Sequence, residues 1–432
     1  MKQTRCLHKM KSGSDDILGQ GLHGFIRNLA GNASDKIRQK EVDGMRIVVA
    51  PDSFKGSLSA VEVANAMEKG ILNIFPEAEV KKVPIADGGE GTVEALVAAT
   101  GGRIIKNTVV GPLGTDVEAC WGILGDGETA VIEMASASGL TVVPEGQLNP
   151  RVATTYGTGQ LMKAALDMGI RKLIIGIGGS ATNDGGAGMA AALGIRFFDA
   201  AGRSLPAGGS ALASLDKIEL TNVDPRLAEM QILVACDVNN PLCGPKGASA
   251  IYGPQKGATA EMIAELDAAL KHYGEIAKQA TGRDVAECAG AGAAGGLGAG
   301  LLFFTEAALK PGVEIVLETI GFADIVKQAS FVITGEGRTD SQTAHGKAPM
   351  GVANIATQYD VPAFCLSGGL GNGCETLFDL GMSGLMSIVP QPMPLSECMA
   401  DAANLIQDGA DRLCRIVKAG MAIGSRLQKE GK

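Results

Sequence analysis

From residue 45 onward, short apolar runs alternate with segments carrying an apolar stripe at helical spacing, and a polar, glycine-bearing loop follows each run. Residues 45–50 read as a buried strand leading to Pro51-Asp52-Ser53-Phe54-Lys55-Gly56-Ser57. A helix follows, opened by a Ser59/Glu62 capping box and striped by Ala60, Ala64, Met67, Ile71 and Phe75. Residues 80–86 lead to Asp87-Gly88-Gly89-Glu90-Gly91-Thr92, then to a helix over 93–99 closed by Gly101. Residues 173–177 lead to Gly178-Gly179-Ser180-Ala181-Thr182-Asn183-Asp184-Gly185-Gly186 and a small-residue helix over 187–193. The unit recurs at 232–236 before Asp237-Val238-Asn239-Asn240-Pro241, at 331–334 before Gly335-Glu336-Gly337-Arg338-Thr339-Asp340, and at 363–366 before Ser367-Gly368-Gly369.

The middle is less regular. Residues 108–124 and 129–134 alternate around Gly125-Asp126-Gly127, a hairpin signal, and helices are expected over 260–280 and 297–309. The end returns to simple alternation, with a helix over 349–358, strands over 363–366 and 384–389, and a long helix over 397–419. Alternating strands and helices predict an α/β protein with parallel sheets, in which ligands gather at the carboxyl ends of the strands. The expected organisation is two α/β domains, one inserted into the other. Residues 45–110 and 311–425 form a discontinuous domain and 111–310 the insert.

Composition narrows the function. The 432 residues carry a net charge of −9 and show no basic stripe, which argues against nucleic acid as a partner. No run reaches the roughly 18–20 apolar residues of a membrane helix, so no membrane partner is expected. Nine dispersed cysteines without a C-x-x-C pair read as reduced thiols in a cytoplasmic protein, and four dispersed histidines make zinc improbable. Residues 1–44 hold eight Lys and Arg against five Asp and Glu, the opposite balance to the whole chain. They read as a disordered extension outside the fold, with an accessory helix over 22–29 as the alternative. Removing residues 1–44 is expected to leave melting temperature and activity unchanged; a loss of several degrees on thermal denaturation would show that they pack on the fold.

Several familiar motifs fail on context. Gly290-Ala291-Gly292-Ala293-Ala294-Gly295 matches G-x-G-x-x-G but lacks an apolar strand before it, so a dinucleotide site is not supported. No P-loop and no G-x-S-x-G elbow occurs, and a Ser–His–Asp arrangement would have to use His345. What remains is carboxylates, placed lysines and many loop amides, the set phosphoryl transfer requires. Lys55 sits between strand and helix, and Lys347, before Pro349 at the first helical position, sits where a cation opposes the helix dipole. Either is also readable as a solvated lysine. Asp87 and Glu90 point into a cleft, or Asp87 caps the helix beginning at Thr92; Asp184 is a proton acceptor or a cap. Asp237 is a site residue or part of a turn, and Glu336, Arg338 and Asp340 form a site cluster or contain an internal Glu–Arg pair.

The 50–57, 86–92, 178–186, Cys236-Asp237-Val238 and 334–340 motifs, taken in order, resemble the bacterial glycerate kinase family, over about residues 45–419. The resemblance implies two α/β domains of Rossmann or flavodoxin-like type with the active site in the cleft between them. It also implies ATP- and Mg²⁺-dependent phosphorylation of D-glycerate, a small-molecule substrate, to 2-phosphoglycerate, with 3-phosphoglycerate as the alternative product. On that reading Asp184 takes the glycerate hydroxyl proton, and Lys55 steadies the transferring phosphate. Ser180, Thr182, Asn183 and Arg338 hold the substrate. Ser53, Gly56, Gly88, Gly89, Gly178, Gly179 and Lys347 line nucleotide and phosphate, and Asp87 and Glu90 hold the metal. A homodimer is compatible with it. A hydroxy-acid dehydrogenase and a non-enzymatic organic-acid sensor are the readings from other classes.

Overall fold

The computed structural model describes residues 44–344 and 346–430. Two sheets organise them. The first is parallel throughout, built from β1 (Arg46–Pro51), β2 (Glu79–Lys82), β11 (Phe331–Thr339), β12 (Ala363–Leu370) and β13 (Gly384–Ser387) in the order β13-β12-β11-β1-β2. The second runs β10-β9-β6-β5-β4-β3, from β3 (Arg103–Val110), β4 (Asp116–Ile123), β5 (Thr129–Glu133), β6 (Lys172–Gly176), β9 (Gln231–Ala235) and β10 (Ala308–Lys310). The strands β7 (Arg196–Phe198) and β8 (Lys217–Glu219) form a small antiparallel ribbon apart from both.

The second sheet is mixed, and its antiparallel part includes the hairpin expected around residues 125–127. β3, β4 and β5 pair antiparallel, and only β5, β6, β9 and β10 are parallel. Turns of five residues join β3 to β4 and β4 to β5, too short for the crossover a parallel pair needs. β3 also lies on the wrong side of a boundary drawn at residue 110, because its partner is β4 in the second sheet.

Local signals place the helices. Ser59 Oγ accepts from Glu62 N while Glu62 Oε2 accepts from Ser59 N, completing the capping box of the helix Ala60–Ile74. That helix and the long Ala402–Glu430 helix cover one face of the first sheet in a core of Val63, Met67, Ile71, Ile406 and Cys414. Gly70 makes the crossing close: a Cβ there would lie 2.1 Å from Gln407 O. The expected helix over 397–419 is divided at Asp401 into Leu395–Ala400 and Ala402–Glu430. The helices Thr92–Thr100 and Gly312–Thr319 lie between the sheets, so one apolar cluster runs from Val48 and Ile85 through Leu96 and Val316 to Val131, Ile174 and Ala235. Among the described residues no helix is long and apolar enough to cross a membrane. Residues 1–43 and His345, for which the sequence raises an extension and a catalytic histidine, lie outside the described residues.

Candidate active site

The polar loops converge where the two sheets meet at their carboxyl ends. The Asp87–Gly91 loop is the joint. Gly88 carries φ +90°, and a Cβ on it would lie 2.4 Å from the Ala235 methyl at the end of β9. A Cβ on Gly176, at the end of β6, would meet Gly88 O at 2.4 Å, and one on Gly178 would meet Gly89 Cα at 3.3 Å. Gly312 closes the joint from a third side, with only 1.8 Å between its would-be Cβ and Asp87 O. Gly312→Ala is therefore expected to cost at least about 2 kcal/mol, because the clash falls on backbone that cannot rotate away. Chemical denaturation followed alongside turnover checks this; a variant of unchanged midpoint would show that the loop is free to move.

Four carboxylates line this joint: Asp52 after β1, Asp87 after β2, Asp237 after β9 and Glu336 on β11. Burial pushes the Asp52 carboxyl up to about 7, with the charges of Asp87 and Glu336 adding to it and bonds from Ser53 opposing. Asp237 rises to about 6, again by burial first, against the bond it accepts from Gly312 N at 2.9 Å and with Asp87 and Glu314 adding. Glu336 is held most firmly. Thr339 and Thr343 donate to its Oε1 at 3.0 and 2.7 Å, and Lys347 Nζ stands 3.4 Å from Oε2.

Several expected site residues sit elsewhere. Lys347 is occupied by Glu336 and is the cap position of the helix Ala348–Gln358, so Pro349 is its second residue rather than its first. Arg338 is 74% exposed and 3.2 Å from Asp340, not paired with Glu336 and not turned into the joint. Residues 335–339 of the 334–340 motif are strand rather than loop. β11 is held between β1 and β12, and at Gly335 a Cβ would lie 2.4 Å from Leu366 O, so only a glycine admits that approach. Glu90 is exposed, and its charge acts on Glu133 rather than within the four-carboxylate group. Asp87 does not cap the helix Thr92–Thr100; its Oδ1 accepts from Gly89 N, and Glu133 caps that helix through Val93 N at 2.8 Å. Lys55 and Gly56 are exposed at the loop tip, and no bond or ion pair reaches the Lys55 ammonium among the described residues. Ser53 donates its N–H to Asp52 Oδ1 at 2.6 Å.

The 178–186 motif divides in two. Gly178 and Gly179 are exposed beside Gly89, whereas Ser180, Thr182, Asn183 and Asp184 are buried. Asp184 is 1% exposed and its carboxylate is saturated, accepting from Thr155 N (2.8 Å), Thr155 Oγ1 (2.9 Å), Gly186 N (3.1 Å) and Gly188 N (3.2 Å). Burial raises its carboxyl against the pull of those donors. A carboxylate so placed ties the motif to the 154–156 segment. Asn183 donates to Ser249 Oγ at 2.9 Å. The Gly290–Gly295 run, declined as a dinucleotide site, serves as the bed of this loop: Gly185 N donates to Gly295 O, and Cβ atoms on Gly295 or Gly300 would strike Thr182 O or Gly185 O.

The residues missed are Asp52 and Lys256. Asp52 carries the same signal as Asp87 and Asp237, a carboxylate at the end of an apolar run. Lys256 carries none, since Gly253-Pro254-Gln255-Lys256-Gly257 reads as an exposed turn, yet its side chain is fully buried.

Comparison with known proteins agrees with this architecture. The model of the glycerate kinase family matches residues 47–418. A glycerate kinase of Bacillus subtilis is 52% identical over 374 residues, 87% of this chain and 98% of its own. A glycerate 2-kinase of Escherichia coli is 50% identical over 382 residues, 88% and 99% of the two chains. A crystal structure of a proposed glycerate kinase 2 from Salmonella typhimurium LT2 superposes with a TM-score of 0.81 at 48% identity, covering 88% of this chain and all of its own. A match that spans both sheets and every polar loop of the joint places this chain in the glycerate kinase family.

Proposed function

We propose that this kinase transfers the γ-phosphoryl group of ATP to the 2-hydroxyl of D-glycerate, with Asp52 as the proton acceptor. The reading is carried by family membership across residues 47–418, joined to the convergence of the motif loops on one joint. In the step, the glycerate oxygen forms a bond to the γ-phosphorus, the bond from that phosphorus to the β,γ-bridging oxygen breaks, and ADP leaves. The hydroxyl proton passes to a carboxylate. Asp52 suits that role better than Asp184, because it is partly open and holds its proton to about pH 7, near the point where a base works best.

The positions of the other groups support a division of labour. Lys55, without a partner among the described residues at its loop tip, is a cation available to phosphate oxygens, with the amide of Gly56 near it and those of Gly178 and Gly179 across the joint. Asp87 stands closest to a metal role. Its field and those of Asp52 and Asp237 oppose one another with no Lys or Arg paired among them, a charge deficit that a phosphate-borne Mg²⁺ would relieve. Among the described residues no group of three or more His, Cys, Asp or Glu side chains is arranged to hold a metal by itself. Mg²⁺ ordinarily takes only one or two protein carboxylates beside substrate phosphates, so the donors present fit it. When bound, the ion would neutralise charge on the β- and γ-phosphates. Dispersed free thiols support cytoplasmic residence, and the expectation of a homodimer is one that sedimentation velocity tests.

Incubation with ATP, Mg²⁺ and D-glycerate, resolved by NMR, tests the reaction. 2-Phosphoglycerate is expected; 3-phosphoglycerate would move the reacting hydroxyl, and no ADP above the glycerate-free control would remove the reading.

A further inference from the structure

Lys256 Nζ lies fully buried and donates to Ser180 Oγ at 2.7 Å and to Thr182 O at 2.6 Å. Among the described residues no carboxylate forms an ion pair with it. Among the described residues the charged group whose field reaches it is Asp184, itself held by Thr155, Gly186 and Gly188. A buried ammonium held only by a hydroxyl and a carbonyl is costly unless another negative charge comes near.

The consequence falls on Ser180. A hydroxyl has one proton to give, and its oxygen here already accepts from an ammonium. Its own proton is then left for an acceptor, and a cation behind the oxygen makes it a stronger donor. The backbone around it is pinned: Leu140 N donates to Gly179 O and Ala181 N to Ser138 O. Immediately before it, Gly178 and Gly179 open the loop to the joint beside Gly89. The same loop carries Thr182 Oγ1 and Asn183 Oδ1, both buried and without a partner among the described residues. These are the marks of a loop built to receive a polar ligand.

We propose that Lys256 is a positioning residue for the anionic substrate, holding Ser180 as a committed hydrogen-bond donor to a carboxylate or phosphate oxygen at the Gly178–Gly179 turn. The inference rests on the glycerate kinase reading, with glycerate as the anion used to test it. Lys256 acts through Ser180 and touches no substrate. Burial pushes its ammonium down to about 7, against the charge of Asp184, so the wild-type protein should bind glycerate less tightly as pH rises through that value.

The test compares Lys256→Met, Ser180→Ala and the double variant in the full-length protein. Methionine keeps the length and removes the charge, a change buried sites often tolerate. A hydrogen bond to a charged group is worth about 1.5–3 kcal/mol, so each single variant should raise the glycerate KM by at least about tenfold. The ATP KM should stay within about twofold, and the double variant should be no worse than the worse single one. A folded Lys256→Met protein with a normal glycerate KM, or additive effects in the double variant, overturns the proposal. If Lys256→Met does not fold, calorimetric titration of the wild type and Ser180→Ala with glycerate decides: weakening between about pH 6 and 8 that Ser180→Ala abolishes supports the proposal, and a flat affinity, or the same weakening in both proteins, overturns it. Absence of any glycerate turnover in the wild type would remove the underlying reading; normal wild-type turnover with an unaffected variant would remove only the role of Lys256.

Discussion

Asp52→Asn is expected to lower turnover by about 10²–10⁴-fold, the usual worth of a general base, with the fold intact. Asparagine matches the carboxylate in shape and still accepts from Ser53 N, but it cannot take a proton. The wild-type rate should fall on the acid side of about pH 7, where Asp52 holds its proton, and that limb should vanish from the residual rate of the variant. Stability should move the other way. Asp52 is raised from 3.8 to about 7 in the folded chain, so between those values the unfolded state gives up its proton first. Its ionisation therefore destabilises the fold progressively as pH rises through that window. The variant should melt higher than wild type at pH 8 and about the same at pH 4. Turnover within about threefold of wild type would remove Asp52 as the base and leave Asp87 and Asp237 as the neighbouring alternatives. Unchanged melting at pH 8 would show that Asp52 is better solvated than its surroundings suggest.

Asp184→Asn is expected to act on stability instead, costing about 1–3 kcal/mol, the range for leaving a buried hydrogen-bond group unsatisfied. The carboxylate accepts from three backbone N–H groups and the Thr155 hydroxyl. An amide would turn two hydrogens of its own toward those donors and leave at least one unsatisfied. The motif loop and the 154–156 segment should loosen together. Urea denaturation gives the cost, and turnover measured far below the melting transition separates the roles. An anchor leaves the folded fraction within about tenfold of wild-type turnover. Full stability with turnover reduced a hundredfold or more would restore Asp184 as the proton acceptor.

The strands and helices near the site were legible because their signals are local. The Ser59/Glu62 box caps its helix as expected, and Gly101 closes the helix Thr92–Thr100 with φ +71°. The hairpin at 125–127 appears between β4 and β5. The errors have a common origin in neighbours that are distant along the chain. Residues 335–339 form strand because β1 and β12 flank β11 on both sides. Lys347 is spent on Glu336, and Thr343 helps to hold the same carboxylate, so a lysine that looked free is neutralised inside the fold.

By itself the sequence determined the alternation of strand, glycine loop and helix, and with it the α/β class and a set of polar loops at strand ends. Hydrophobic period, caps and backbone freedom at glycine all act within a few residues and survive in any context that buries the apolar face. Where each carboxylate stands and which donors hold it was decided only by the tertiary structure. Asp52 and Asp184 each lie in the loop that follows a buried strand and carry the same charge. One stands at the joint facing Asp87 and Glu336 with few donors, and the other lies behind it among four. The free energy of a charge depends on the solvent it loses and the dipoles it gains, and both are set by segments that only folding brings together.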